Sequence, residues 1–269
     1  MRKKYKHSLS SLNEQKACDL YASGMSSPEI GKVFNVTGAT IRNIVRRSGG
    51  IIHSARFTNT RECNHRAFST ITDESSYWLG FMLADGCVYS KGSLKLALHR
   101  KDVESIKRFI DFMEVDTSPN VYGDMAEVCI TSRWVVKDLI RFDVTPNKTH
   151  TATVHPSLES NRHFWRGVID GDGGMWVDDR GVPFINLSGT YAIVDSFRDF
   201  VVTSFPHYRG QVYPHASIYQ LHIRGRIGLE VMKMIYQESD KSISMQRKYN
   251  QARSIISDLD SSYGIRRAA

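Results

Sequence analysis

The chain has 269 residues, 41% hydrophobic and 24% charged, with a formal net charge of +8, a profile that gives room for about two globular domains and a substantial core. No apolar run approaches the roughly 18 residues of a membrane span, and the basic start from Met1 to Lys6 leads into polar residues rather than a signal-peptide core. Cys18, Cys63, Cys87 and Cys129 form no Cys-x-x-Cys pair; the pattern suggests neither a disulfide scaffold nor a thiolate zinc site, and a cytoplasmic location is expected.

The positive charge is concentrated at one end. Residues 1–70 hold 12 Lys or Arg against 4 Asp or Glu, whereas the remaining 24 of each sign cancel. A basic arm and small domain joined to a neutral body implies a polyanion-binding module attached to something else.

Residues 12–48 read as three short helices. Asn13 can cap the first, whose Ala17, Leu20 and Tyr21 share a face, and Gly24 stops it. Ser27-Pro28 opens the second, with Ile30, Val33 and Phe34 on one side. Thr37 caps the third, which turns Ile41, Ile44 and Val45 inward and Arg42, Asn43, Arg46 and Arg47 outward. This is helix-turn-helix patterning, with the third helix placed to read the major groove of double-stranded DNA. It resembles the small DNA-binding domains of resolvases and invertases. The domain is expected to span 1–48. A linker is expected over 49–72, because Gly49-Gly50 and the polar, basic run from Arg56 to Arg66 lack periodicity. Cys63-Asn64-His65 is too compact to be a metal site by itself.

The rest is organised around two related stretches, Tyr77-Trp78-Leu79-Gly80-Phe81-Met82-Leu83-Ala84-Asp85-Gly86 and Phe164-Trp165-Arg166-Gly167-Val168-Ile169-Asp170-Gly171-Asp172-Gly173, offset by 87 residues. Both open on aromatics, hold a glycine at the same place and end in Asp-Gly, which marks an internal repeat. As helices, each carries small residues four apart, Gly80 and Ala84 or Gly167 and Gly171. Two such stripes can pack backbone to backbone. Asp85 and Asp172 then meet at two helix C-termini, where the dipoles and the like charge oppose ionisation and a bound cation would relieve it.

After each motif the period changes to two. Leu94, Leu96 and Leu98 alternate with Lys95, Ala97 and His99. A helix from about Asp102 to Met113, a strand at Ala126–Thr131 and a helix at Trp134–Ile140 follow. The second half runs similarly, through Phe184–Ser188, a helix at Ala192–Val202, strands near Gln211–Tyr213 and Ser217–Arg224, and a helix through Leu229–Tyr236. The fold class is therefore α+β: an N-terminal three-helix domain, then two pseudo-symmetric αββαββα repeats at 73–158 and 159–269.

The paired motifs and this order resemble the LAGLIDADG homing endonucleases, over residues 71 to about 256. The resemblance implies central motif helices, a concave sheet from each half on duplex DNA, and a catalytic acid at the penultimate motif position. Lys95, His99, Arg100, Asn186, Gln220, His222 and Arg224 are nominated as DNA contacts; since the body is neutral, its saddle should be basic at the expense of the opposite face. Phosphodiester hydrolysis implies Asp85 and Asp172 as metal ligands and catalytic groups, with the carbonyls of Ala84 and Gly171 as further donors. Hard oxygen ligands favour Mg²⁺, with Mn²⁺ as a substitute. A basic residue near each scissile phosphate is expected in loops that offer Lys148 and either Arg247 or Lys248. The sequence departs from the family pattern at Leu83, where an acid is common. Two unlike halves in one chain imply a monomer on a long asymmetric site. A helix-turn-helix regulator, joined to a LAGLIDADG-like domain that has lost its acids, is one rival reading, and an RNA-splicing maturase, which can keep them, is the other.

Overall fold

The computed structural model describes residues 9–50, 62–237 and 243–265. They form two units, divided between residues 60 and 61, each with its own core.

The first unit is a three-helix bundle: α1 (Ser11–Ala22), α2 (Ser27–Phe34) and α3 (Gly38–Arg47). Ala17, Tyr21, Ile30, Val36, Ile41, Ile44 and Val45 make its core. Helix α1 begins after Ser10, three residues before the expected Asn13 cap. The cap of α2 is Ser26 rather than Ser27, because Ser26 and Glu29 form a reciprocal capping box. Thr37 caps α3 as expected, accepting the Thr40 N–H.

The second unit is built on α4 (Asp73–Ala84) and α7 (Arg162–Asp172), which pack on each other more extensively than any other pair of elements. Their glycines explain why. A Cβ at Gly80 would lie 2.0 Å from the Phe164 carbonyl oxygen, and one at Gly167 would lie 2.0 Å from that of Tyr77. The two contacts exchange under the 87-residue offset, so the backbones cross about a pseudo-two-fold axis at a separation that only glycine permits.

Each central helix leads into a four-stranded antiparallel sheet. The first contains β1 (Gly86–Tyr89), β2 (Ser93–His99), β3 (Asn120–Tyr122) and β4 (Met125–Thr131), in the order β1-β2-β4-β3. The second contains β5 (Gly173–Val177), β6 (Pro183–Gly189), β7 (Tyr213–His215) and β8 (Ile218–Arg224), in the order β5-β6-β8-β7. Helices α5 (Val103–Phe112) and α6 (Arg133–Arg141) cover the first sheet, and α8 (Tyr191–Ser204) and α9 (Gly225–Tyr236) cover the second. Alternating burial along β2 and β6 turns Leu94, Leu96, Leu98, Ile185 and Leu187 into the core and leaves the other face open. A last helix, α10 (Gln246–Ile265), packs against α9 and β5.

The stretch expected as a linker is of two kinds. Residues 51–61 lie outside the described residues. Residues 62–72 pack on the first repeat: Phe68 is fully buried, Arg141 donates to the carbonyls of Phe68 and Ser69, and Asn64 donates through its backbone to Met113. Among the described residues no helix is long and apolar enough to cross a membrane.

Candidate active site

Asp85 follows the last residue of α4, and Asp172 is the last residue of α7. Both helices stop there because the glycine that follows begins a strand, paired Gly86 to Leu96 and Gly173 to Leu187. The close packing persists to this end: a Cβ on Gly171 would lie 2.3 Å from that of Ala84 and 3.3 Å from Asp85 Oδ2. The Asp85 carboxylate therefore lies over the end of the opposite helix.

Both acids reach solvent, yet the protein packed around them withdraws enough water to raise their pKa values. Burial is the largest cause for each. For Asp172 the charge of Asp85 adds to it, and the carboxyl is pushed up to about 6. Two ammonium groups act in the opposite direction on both acids.

Those groups are Lys148 and Lys248. Lys148 Nζ donates to the Gly86 carbonyl at 2.5 Å. Lys248 Nζ donates to Gly173 at 2.7 Å, the equivalent carbonyl in the other repeat, and also to Ile169 at 2.7 Å and Gly171 at 3.3 Å. Each lysine is thus pinned to the glycine that follows its acid. Burial lowers both ammonium pKa values, and the facing acids partly offset it. Of the two basic residues expected near 247, Arg247 is directed elsewhere, onto both carboxylate oxygens of Asp102 at 3.2 and 3.3 Å. Lys248 sits on the first turn of α10 and Lys148 on a 3₁₀ turn, Lys148–His150, where the sequence suggested loops.

A divalent cation suits this donor set. Among the described residues no group of three or more His, Cys, Asp or Glu is placed to share an ion, so the protein offers two carboxylates and adjacent carbonyls. Mg²⁺ is commonly held by one or two carboxylates, with water and substrate phosphate oxygens completing its shell, and the raised acids would be relieved by such a charge. Gly171 already receives Lys248 at the longest of its three contacts, which leaves its carbonyl a second lone pair.

The nominated DNA contacts fall into three places. On α3, Asn43 and Arg46 are exposed and hydrogen-bonded to each other, Arg42 donates to Ser27, and Arg47 is held by Glu14 of α1 at 2.6 Å. On the first sheet, Lys95 pairs with Glu127 at 3.2 Å, while His99 and Arg100 are exposed at the strand end. On the second sheet, Asn186 faces His222 and Ser188 faces Gln220 across β6 and β8, and Arg224 is exposed beyond them. The open strand faces are not strongly basic, contrary to the sequence expectation. Glu127 neutralises Lys95 and also accepts from Tyr122. Aromatics take much of the second face, where Trp176 and Phe184 stack with ring centroids 5.1 Å apart.

No family model matches the chain, and no curated protein matches its sequence. Solved structures do. The homing endonuclease I-WcaI bound to its DNA recognition sequence aligns with TM-score 0.51 and 13% identity over 67% of this chain and 87% of its own. The fold resembles that of the LAGLIDADG homing endonucleases. The LAGLIDADG meganuclease I-AabMI bound to uncleaved DNA aligns at TM-score 0.49 and 12% identity, over 71% of this chain and 92% of its own. Full-length DUF199/WhiA from Thermatoga maritima aligns at TM-score 0.46 and 13% identity, covering 76% of this chain and 70% of its own.

Sequence reasoning missed two residues beneath the site. Arg166 and Asp170 are buried in α7, although charged residues four apart on a helix usually form an exposed pair. Aligning the repeats would have exposed them, since they stand opposite Leu79 and Leu83.

Proposed function

We propose that this chain is a site-specific DNA endonuclease that hydrolyses both strands of a long asymmetric duplex target, with Mg²⁺ or Mn²⁺ as cofactor. One observation carries the reading: two carboxylates, each terminating one of two back-to-back helices, share a site with two lysines that occupy equivalent positions. Retention of Asp85 and Asp172 favours this reading over a regulator whose LAGLIDADG-like domain has lost its acids. Asp85 and Asp172, with the carbonyls of Ala84 and Gly171, would hold the metal. When bound, it would stabilise charge on the attacking and leaving oxygens of the phosphodiester. Lys148 and Lys248 bring fixed positive charge to the same place and oppose repulsion between the acids and the DNA backbone. Incubating the purified chain with a random-sequence duplex library and Mg²⁺, then sequencing the ends, should give one cut sequence with a short stagger. Absence of any cut sequence in Mg²⁺ or Mn²⁺ would overturn the proposal.

DNA contact is proposed for Arg42, Asn43, Arg46 and Arg47 on α3 and for Lys95, His99, Arg100, Asn186, Gln220, His222 and Arg224 on the sheets. Since the strands are poor in charge, phosphate attraction should come mainly from the first unit. A truncation for testing this should begin at Arg61 rather than near Ile71, because Phe68 belongs to the second core. It should cleave at high protein concentration but bind roughly 10²-fold more weakly, because the tethered basic unit is gone. The slope of log affinity against log salt should fall by roughly 0.9 for each phosphate that the first unit neutralises. An unchanged slope would show that the basic unit does not touch DNA. Sedimentation of the complex should give one chain per duplex.

A further inference from the structure

Hydrolysis as proposed makes no use of Asp170 and Arg166, whose counterparts 87 residues earlier are Leu83 and Leu79. Asp170 accepts three hydrogen bonds: from the Tyr77 hydroxyl on α4 at 2.9 Å, from the Tyr236 hydroxyl at the end of α9 at 2.7 Å, and from the Met245 backbone N–H at 2.6 Å. The Met245 carbonyl accepts the Tyr249 N–H and so opens α10. The N–H that Asp170 receives is thus one of the donors a helix start leaves without a partner in its own helix, and it lies at the positive end of the helix dipole.

Other groups fix the same turn. Arg166 donates to the carbonyls of Ile235, near the end of α9, and Ile243, in the connection to α10. Arg108 of the first repeat donates to the Ser244 carbonyl, and Asp102 receives Arg247. Lys248 follows Met245 by three residues, close to one helical turn. A slip of α10 by one residue would displace Lys248 by about 1.5 Å along the axis and about 100° around it, removing Nζ from the carbonyls of Ile169, Gly171 and Gly173.

We propose that Asp170 is a positioning residue for one of two unlike catalytic centres: by holding the Met245 N–H it sets the register of α10 and seats Lys248 beside Asp172. The inference rests on Lys248 belonging to the active site. It accounts for the asymmetry beneath the motifs. Lys148 arrives on a 3₁₀ turn rather than on a helix start, and in that repeat Leu83 fills the position of Asp170.

The test compares Asp170→Leu, the residue of the other repeat, with Asp170→Asn, which keeps an acceptor for Met245, and Tyr236→Phe, which removes a different hydrogen bond to Asp170. Two readouts are used in the full chain, amide hydrogen exchange and strand-resolved nicking of a labelled target duplex. In Asp170→Leu, exchange at residues 245–249 should rise about tenfold or more while α4 and β2 stay protected. The strand that Asp172→Asn leaves uncut should be cut about 10²-fold more slowly, the cost of a catalytic group displaced by about 1 Å, and the other strand at the original rate. Asp170→Asn and Tyr236→Phe should resemble the wild type in both readouts. Unchanged exchange at 245–249, equal loss on both strands, or equal damage from Tyr236→Phe would overturn the proposal. If Asp170→Leu does not fold, Asp170→Ser, too short to reach Met245, takes its place with the same expectations. If the wild-type chain cuts no DNA, the endonuclease reading fails and the exchange data alone decide whether Asp170 holds α10.

Discussion

The two repeats agree at the backbone crossing and at its acidic end, and differ in the side chains packed beside it. At the interface Gly80 and Gly167 face reciprocal carbonyls, Asp85 and Asp172 end the two helices, and Lys148 and Lys248 bind the equivalent carbonyls of Gly86 and Gly173. Beneath that surface the first repeat has Leu79 and Leu83 and the second has Arg166 and Asp170, both fully enclosed. One arrangement of acids and lysines is therefore supported by two different interiors.

The strongest way to break the comparison is to obstruct the crossing. Gly80→Ala and Gly167→Ala each introduce a Cβ about 2 Å from a facing backbone oxygen, and backbone cannot yield as a side chain can. Each should destabilise the chain by about 3 kcal/mol, the upper part of the overpacking range, and by similar amounts. Urea unfolding would check this; a clearly unequal pair of losses would show that the two-fold relation does not hold at the axis.

The lysines sharpen the comparison. Lys248 is buried and satisfies three carbonyls, while Lys148 is half-buried and satisfies one. Lys248→Met should cost roughly 1–3 kcal/mol by leaving acceptors unpaired, and Lys148→Met distinctly less. Thermal unfolding of both variants measures the difference, and equal losses would contradict it.

Much of this was legible before the structure. The repeat offset, the small-residue stripes and the two terminal acids follow from spacing alone, and alternation found β2, β4, β6 and β8, whose buried faces are regular. The short strands β1, β3 and β5 were not located: the three residues of β3 carry no period and are all exposed, and β1 and β5 begin on the motif glycines and run only four and five residues. Helix α10 was missed altogether, its first turn being read as loop: its start is set by Arg166 on Ile243, Arg108 on Ser244 and Asp170 on Met245, from elements far away in sequence, and local pattern contains no trace of such contacts. The neutral sheet faces were likewise hidden, since the pairing of Lys95 with Glu127 depends on the register of β2 against β4.

The smallest effect distinguishes the acids. The folded chain raises the Asp172 pKa from its ordinary 3.8 to about 6, so between those values the native state binds more protons than the unfolded one. This contribution makes stability fall as pH rises through the window, and above about 6 the destabilisation is fully present. In chelator, Asp172→Asn should therefore raise the melting temperature slightly at pH 7.5 and lose that advantage by about pH 4. An advantage that persists at low pH would show another origin.

The most direct measurement of the central claim is strand-resolved cleavage of the target duplex by Asp85→Asn and Asp172→Asn, with binding measured in parallel. Each substitution should abolish double-strand cleavage, leave one strand nicked, a different strand in each case, and preserve affinity because the strand faces are untouched. Cleavage of both strands at the wild-type rate by either variant would contradict the account.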